Sequence, residues 1–292
     1  MPGRTARMPF YAAGLTAIPL LAAALAGCAT ASSGSSGANG TTQTSPLDAV
    51  QLAAKTTSGA NSFTGTMSLQ ATAKSGMAGN ISMTATMAEQ LHPSLLASVQ
   101  IGTMSAAGET LPGGMAEIIT PSAVYMKWSF LTQELHLTKP WLEISVSALG
   151  KSSGVNLSQL FSEATNTSPL NESQMLSGAT NVRKVGTGTM DGVAVTEYTG
   201  TLSIDKGMQY LSGSAKAAWQ KEVAAAGFTK ATFTVWIDSQ RVMRKAVVVE
   251  DGTVVDETVT VAITSINQPV NIQVPSADQT SSLPGGGLSS LG

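Results

Sequence analysis

Few residues in this sequence could carry chemistry. Cys28 is the single cysteine, and the two histidines, His92 and His136, are far apart without companion residues at metal-ligand spacing. The sequence contains no GxSxG elbow, no CxxC or HExxH motif and no glycine-rich phosphate loop. We therefore predict that the protein is not an enzyme, that it uses no cofactor or metal, and that both histidines lie in exposed loops.

Cys28 ends an N-terminal segment that has the three parts of an export signal. Arg4 and Arg7 give a positive start, an apolar region covers residues 10–25, and small residues precede the cysteine in the sequence LAGC. These four residues resemble the bacterial lipobox. The resemblance implies that a signal peptidase cuts before Cys28 and that the thiol of Cys28 carries a diacylglyceryl group.

The alternative interpretation of this segment is a membrane span that remains attached. Its apolar stretch is short for a span, which needs about 20 residues, and Gly14, Thr16 and Pro19 interrupt it. We therefore predict that residues 1–27 are a lipoprotein signal peptide and that acyl chains on Cys28 anchor the protein to a membrane. Two or three such chains hold a protein far more firmly than one. The predicted location is extracytoplasmic, at the cell membrane.

The remaining sequence predicts one folded domain between two irregular segments. Residues 28–46 comprise the acylated cysteine and a Gly-, Ser- and Thr-rich flexible tether. Residues 276–292, which contain PGGG, are predicted to be a disordered tail, so the domain covers residues 47–275. Charged residues make up 12% of the chain and form no basic stripe, which excludes nucleic acid as an expected partner.

Apolar residues alternate with a period of two along much of this domain, and such alternation predicts half-buried strands. In SFTGTMSLQATA, one face carries Phe63, Met67 and Leu69, whereas the other face carries only Ser, Thr and Gln. Similar patterns recur in about ten segments, most of them joined by short turns. The prediction is therefore a mainly antiparallel sheet with a common apolar side.

Three segments instead show helical spacing, at residues 155–164, 168–179 and 205–227. The third is predicted to be one long helix with Asp205 as its N-cap and Glu222 at a solvated position. Its apolar stripe comprises Met208, Leu211, Ala215, Trp219 and Val223.

Three helices are too few to cover the apolar faces of about ten strands. The sheet is therefore expected either to close into a small packed barrel or to curl around a cavity. Methionine and small residues on the inner face favour a cavity, because methionine adapts to irregular apolar partners. The alternative is an ordinary core rich in Ala and Met. The candidate cavity-lining residues are Met67, Leu69, Met83, Met87, Val99, Ile101, Met126 and Ile144.

Three further stretches carry a resemblance to a known family. They are PWLEISVS at residues 140–147, ATFTVWIDSQRVMRKAVV at residues 231–248, and NQPVNIQVPSADQ at residues 267–279. With the lipobox and the early strands, they resemble the actinobacterial LppX/LprG-type lipoproteins, which share the LolA/LolB-like fold. This resemblance implies an α+β fold: a highly curved antiparallel half-barrel of about ten strands with helices packed on the concave face.

The resemblance also implies a function. It implies that a lipid or other amphiphile occupies an apolar cavity between sheet and helices, for lipid carriage or envelope maintenance. It gives Trp236, Asp238 and Arg244 structural positions at a hairpin, and it names no catalytic residue. The alternative is an envelope sensor or scaffold that binds a protein partner through the same fold.

Overall fold

The structure, a computed structural model, describes residues 44–74, 79–110, 114–145, 168–211 and 213–282. The predicted signal peptide, Cys28 and nearly all of the tether lie outside these ranges. The helix predicted at residues 155–164 also lies outside them.

In the described residues, thirteen strands form one curved, unclosed sheet. Neighbouring strands are antiparallel except for β7 and β13. The strands are β1 (Ser62–Ala73), β2 (Ile81–Gln90), β3 (Leu96–Ala106), β4 (Glu109–Thr110), β5 (Met115–Ile119), β6 (Ala123–Lys127), β7 (Trp141–Ser145), β8 (Ala179–Met190), β9 (Val193–Ser203), β10 (Lys230–Asp238), β11 (Met243–Asp251), β12 (Val255–Ile266) and β13 (Thr280–Ser282). Their order is β13-β7-β6-β5-β3-β2-β1-β12-β11-β10-β9-β8, and β4 pairs with β3.

Short helices complete the described fold. They are α1 (Pro46–Ser58), α2 (Ser129–Glu134), α3 (Pro169–Glu172), α4 (Ile204–Gly207) and α5 (Gly213–Ala226), with 3-10 helices at Ser173–Gly178 and Met208–Tyr210.

The sequence analysis did not predict helix α1, although the sequence contains clear signals for it. The Ser45 hydroxyl accepts a hydrogen bond from the backbone N–H of Asp48 at 3.1 Å, and Pro46 occupies the first turn. Val50, Ala53 and Thr57 are buried at helical spacing. The helix therefore begins at a capped serine and presents one face to the sheet.

The register of the strands produces the common apolar side. Met67 of β1 lies opposite Ala85 of β2 and Val261 of β12, and Leu69 lies opposite Met83 and Val259. Residues directly opposite each other in a ladder project to the same side of the sheet. The inner face is therefore continuous across β2, β1 and β12.

The helices cover this inner face mainly over β8 to β11. Val50 and Ala53 of α1 belong to one buried cluster with Phe228, Phe233 and Val235. The ring of Phe233 covers its register partner Gly200, where an added Cβ would lie 2.6 Å from the ring. The predicted fold class, a curved antiparallel half-barrel with helices on its concave face, is confirmed.

The prediction of one continuous helix over residues 205–227 is wrong. The 3-10 helix ends at Tyr210, Leu211 is extended, and α5 begins at Gly213 with a φ of +54°. A positive φ interrupts a right-handed helix, and glycine adopts it without a Cβ penalty. The apolar stripe nevertheless faces the core, because Leu211 and Ala215 are buried.

The N-cap assignment at Asp205 is also wrong. Ser203 occupies the N-cap position of α4, and Asp205 lies in the first turn of that helix, where its side chain is exposed. A carboxylate there still interacts favourably with the positive end of the helix dipole.

The disordered tail predicted from residue 276 does not hold for residues 276–282. Strand β13 pairs in parallel with β7, and the Lys139 ammonium donates a hydrogen bond to the carbonyl of Ala277 at 2.8 Å. An exposed strand edge has free backbone donors and acceptors. This segment satisfies those groups on β7.

Asp238 organises the turn between β10 and β11. Its Oδ1 accepts backbone hydrogen bonds from Gln240 at 2.8 Å and Val242 at 2.9 Å, and its Oδ2 accepts one from Arg244 Nε at 2.7 Å. The predicted structural role of Asp238 and Arg244 at this hairpin is confirmed. Trp236 contributes differently, since the Lys245 ammonium lies 5.0 Å from the centroid of its ring.

We expect Asp238→Ala to lower the free energy of unfolding by about 3 kcal/mol, because it leaves Arg244 and two turn N–H groups without their acceptor. Urea denaturation followed by circular dichroism measures the loss. The matched control is Asp205→Ala, an exposed carboxylate whose removal should change stability little. Similar losses in the two variants would contradict the anchoring role of Asp238.

Candidate ligand cavity

A cavity of about 170 Å³ lies between the inner face of the sheet and the helices. Strands β1, β2, β9, β11 and β12 form one wall, and α1, α3, α5 and the 3-10 helix at Ser173–Gly178 form the other. The lining is mainly apolar, with Leu69, Val248 and Val259 side by side in neighbouring strands. The cavity opens to solvent.

The volume limits what this cavity can hold as it stands. Pockets for drug-sized ligands span roughly 300–1,000 Å³, whereas an apolar cavity of about 150 Å³ accommodates benzene. The space therefore fits a small ring or a short part of a hydrocarbon chain. Met67, Met83, Met175 and Met243 line it, and their flexible side chains allow the walls to adapt.

Three of the eight predicted lining residues reach this cavity: Met67, Leu69 and Met83. Met87 and Ile101 lie on the same face but are buried in neighbouring packing clusters, and Val99 packs against both clusters.

Met126 and Ile144 lie farther along the sheet, in β6 and β7. The register places Met126 opposite Glu117 and Ile144 opposite Val124, on the inner face but outside the lining of the cavity. A ligand contact by any of the eight residues remains a prediction.

The sequence analysis missed the wall formed by β11 and β12. Ala246, Val248, Val259 and Val261 line the cavity. The alternation in VTVAI, at residues 259–263, was an available signal for half of this wall. The run of three valines at residues 247–249 gives no such signal, because both faces of the strand carry the same residue type.

Four glutamates line the same cavity: Glu172 of α3, Glu222 of α5, Glu250 of β11 and Glu257 of β12. Burial, together with the charge of Glu257, raises the pKa of Glu222 to about 7 and that of Glu250 to about 8. Burial also raises the pKa of Glu257. The predicted solvated position of Glu222 is wrong, because this side chain is half-buried at the cavity wall.

Glu172 is the most strongly affected of the four. Burial raises its pKa well above the ordinary value, and the charges of Glu222 and Glu250 raise it further. The indole N–H of Trp219 has the opposite effect and lowers the pKa of Glu172. The contact falls outside ordinary hydrogen-bond geometry, and Trp219 Nε1 is buried without a hydrogen-bond partner among the described residues.

Two further glutamates are buried on the inner face outside the cavity. Glu89 Oε2 accepts a hydrogen bond from the Ser168 hydroxyl at 2.8 Å. Burial raises the pKa of Glu89 to about 7 against the lowering effect of that hydrogen bond, and burial raises the pKa of Glu117 to about 7.

A larger cavity of about 760 Å³ lies on the outer face, where residues 271–273 pass near β3, β5 and α2. Its lining is more polar and includes Gln100, Lys127 and Gln133. The Lys127 ammonium lies 5.9 Å from the centroid of the Trp141 ring. An apolar ligand would leave less of its surface in water at the inner cavity than in this polar groove.

His92 and His136 are exposed, as predicted. Across the described ranges, no three His, Cys, Asp or Glu side chains are grouped closely enough to hold a metal ion. No helix in this part of the chain combines the length and apolar character needed to span a bilayer.

Comparisons with known proteins give distant matches. No family model matches the sequence. A protein of Streptomyces griseus, described as an uncharacterized 31.2 kDa protein in the rplA-rplJ intergenic region, is 26% identical over 111 residues. The match covers 37% of this chain, and the chain spans only 36% of that relative.

Solved structures with a related architecture cover most of the chain. LprF from Mycobacterium bovis aligns with a TM-score of 0.46 and 14% identity over 80% of this chain and 97% of LprF. The Mycobacterium tuberculosis lipoprotein LppX aligns with a TM-score of 0.42 and 19% identity over 78% of this chain and 98% of LppX. LppX-type lipoproteins are thus among its structural neighbours.

A LolA superfamily protein from Nitrosomonas europaea aligns more distantly. Its TM-score is 0.28 at 8% identity, over 81% of this chain and 98% of that protein. LppX and the LolA superfamily, which these structures represent, are also the groups named in the sequence resemblance. At these identities the comparison concerns architecture alone.

Proposed function

We propose that this protein is a membrane-anchored lipoprotein that binds a lipid or other amphiphile in the cavity between sheet and helices. The observation that carries the proposal is the open, mainly apolar cavity on the concave face. Exposed apolar lining is unfavourable in water, so an apolar chain that enters the cavity gains about 25 cal/mol for each Å² of apolar surface buried.

The lining supports a ligand of irregular or variable shape. Met67, Met83, Met175 and Met243 line the cavity on both its sheet side and its helix side. Methionine-rich surfaces repack around different apolar partners. A short segment of an acyl chain fits the present volume, and movement of these side chains would admit more of it.

Residues 1–28 support the membrane part of the proposal. The charged start, the apolar region and the lipobox-like LAGC lead to Cys28. Acylation of Cys28 would hold the domain at a membrane surface, and the uncharged tether through residue 46 would let it reach the lipid there. The protein carries out no chemical step in this proposal; it takes up, holds and releases its ligand.

Native mass spectrometry with organic extraction tests ligand binding. The mature chain from residue 28 onward, carrying Cys28→Ala, is suitable, because it has neither a signal segment nor an acyl chain of its own that could occupy the cavity. We expect co-purified lipid or amphiphile, or saturable binding when lipid is added. If no lipid is present and none binds, the carrier function is refuted, and capture of a stable protein partner would then favour the sensor or scaffold alternative.

Cys28→Ala also tests the anchor. Once its signal segment has been removed, we expect the variant to leave the membrane fraction because it carries no acyl chain. It should keep the circular dichroism spectrum of the folded domain, because the cysteine lies outside the predicted domain. Cell fractionation with immunodetection measures the distribution, and Ser36→Ala in the tether is a matched control that should stay membrane-bound. A processed Cys28→Ala chain that remained in the membrane would overturn the lipid-anchor assignment.

A further inference from the structure

We infer that the cavity selects amphiphiles with a positively charged amine headgroup. This inference rests on the proposed function and narrows its ligand class. The cavity combines an apolar wall for a hydrocarbon chain with four carboxyl groups that form no ion pair with a cation of the described residues.

The four carboxyl groups converge from separate elements. Glu250 and Glu257 are directly opposite each other in the register of β11 and β12, and Glu172 and Glu222 approach from α3 and α5. Like charges directly opposite in a sheet are destabilising. When these groups ionise, their convergence in one apolar cavity therefore lowers stability, and folding alone gives no reason to place them there.

Glu250 gives the most direct indication of a ligand. Its side chain is 4% exposed, it lines the cavity, and in the described part of the chain it makes no hydrogen bond or ion pair. Buried polar groups are nearly always paired. A buried carboxyl that faces an open cavity without a partner is suited to receive one from a ligand.

The cations in the described ranges do not fill this role. The two ion pairs of the described residues join Lys74 to Asp256 and Arg244 to Asp238. Of the described lining residues only Lys245 is basic, but its ammonium lies 5.0 Å from the centroid of Trp236, its register partner on the outer face.

Trp219 adds an independent feature. Its indole nitrogen is buried without a hydrogen-bond partner among the described residues, and Trp219 lines the cavity together with Glu172 and Glu222. An indole face attracts a cation within about 6 Å by its quadrupole. Carboxylates and an indole together match an ammonium group attached to an apolar chain.

A metal ion is a poorer match for this arrangement. Among the described side chains, the four carboxyl groups are not close enough together to form a metal-binding group. An ammonium group needs fewer fixed ligands than a metal ion, since it donates three hydrogen bonds in flexible directions.

The test uses three probes with the same twelve-carbon chain: dodecylamine, dodecanol and laurate. Isothermal titration below the micelle concentration, with the mature Cys28→Ala chain from residue 28 onward, gives an affinity for each. At pH 8.5 we expect dodecylamine to bind at least tenfold more tightly than dodecanol, and laurate to bind most weakly. At pH 5.5, where the carboxyl groups of the cavity hold protons, the preference for dodecylamine should shrink to less than threefold.

A charge-removal variant makes the test specific. Glu172→Gln/Glu222→Gln/Glu250→Gln/Glu257→Gln removes all four charges and should abolish the preference for dodecylamine, measured as the ratio of the dodecylamine and dodecanol affinities of the same variant. The matched control is Glu109→Gln/Asp205→Asn, which removes two exposed carboxylates and should keep the preference.

The outcomes separate this inference from the proposed function. If dodecanol and laurate bind as well as dodecylamine at pH 8.5, the amine specificity is overturned while amphiphile binding stands. If none of the three probes binds, the proposed function itself fails. A preference for dodecylamine that survives the removal of all four charges would place the cation elsewhere and also overturn the inference.

Discussion

The free energy of unfolding should fall by at least about 3 kcal/mol as the pH rises from 5 to 8.5, because several buried carboxyl groups must then lose their protons in the folded state. Burial raises the pKa of Glu250 from its ordinary value of 4.5 to about 8. Burial raises the pKa values of Glu89, Glu117 and Glu222 to about 7.

The sign follows from proton binding. Between pH 4.5 and pH 8 the unfolded chain has released the proton of Glu250, whereas the folded chain still holds it. The unfolded state thus binds fewer protons, and stability decreases as the pH rises through this window. The stabilising contribution is complete below the unfolded pKa and is lost once the pH passes the folded pKa.

Glu250→Gln/Glu257→Gln isolates the contribution of the cavity. Near pH 5 the variant should match the parent, and at pH 8.5 it should be more stable by about 2 kcal/mol, because a neutral amide avoids the buried charges. Urea denaturation at a series of pH values measures both profiles. Glu109→Gln, at an exposed position, should follow the parent. A parent profile that is flat from pH 5 to 8.5 would contradict the burial of these groups.

Val259→Trp should weaken amphiphile binding by at least tenfold. Val259 lies at the centre of the apolar wall, opposite Leu69 and Val248, and an indole there would fill most of a cavity of about 170 Å³. Overpacking should lower stability by about 1–3 kcal/mol, which leaves the fold intact.

Val247→Trp is the matched control for this variant. Val247 belongs to the neighbouring strand and lies opposite Thr234 and Thr260, which places it on the outer face. The control should keep the affinity of the parent for dodecanol, measured by titration calorimetry. If Val259→Trp also kept it, the amphiphile would bind outside this cavity, for example in the outer groove near Lys127.

The alternation of residue types made the strands predictable from sequence. In SFTGTMSLQATA, apolar and polar residues alternate so regularly that both the strand β1 and its buried side can be predicted from the sequence. The hairpin at Asp238 was also predictable, since a polar turn joins two alternating segments. The break of the long helix was not, because Gly213 lies within an otherwise favourable helical pattern and its positive φ depends on tertiary packing.

The carboxyl cluster could not be predicted from sequence. Glu172 and Glu257 are distant along the chain, and they come together only because β12 pairs with β1 beneath the helices. Local sequence patterns predict that a glutamate side chain is exposed to solvent, as they did for Glu222. A cavity combines side chains from many elements, and its composition depends on register and helix placement.

The pairing of β1 with β12 at the middle of the sheet also determines the order in which the chain can fold. The hydroxyls of Thr64 and Thr264, 2.9 Å apart, belong to residues separated by 200 positions. One side of β1 therefore stays unpaired until nearly the whole chain has been synthesised, and contacts between such distant segments form slowly. A nascent chain that ends before β12 exposes a long strand edge that favours aggregation. Because the two halves of the sheet join only along this seam, the molecule reaches its folded state late, as one unit and after β12 is available.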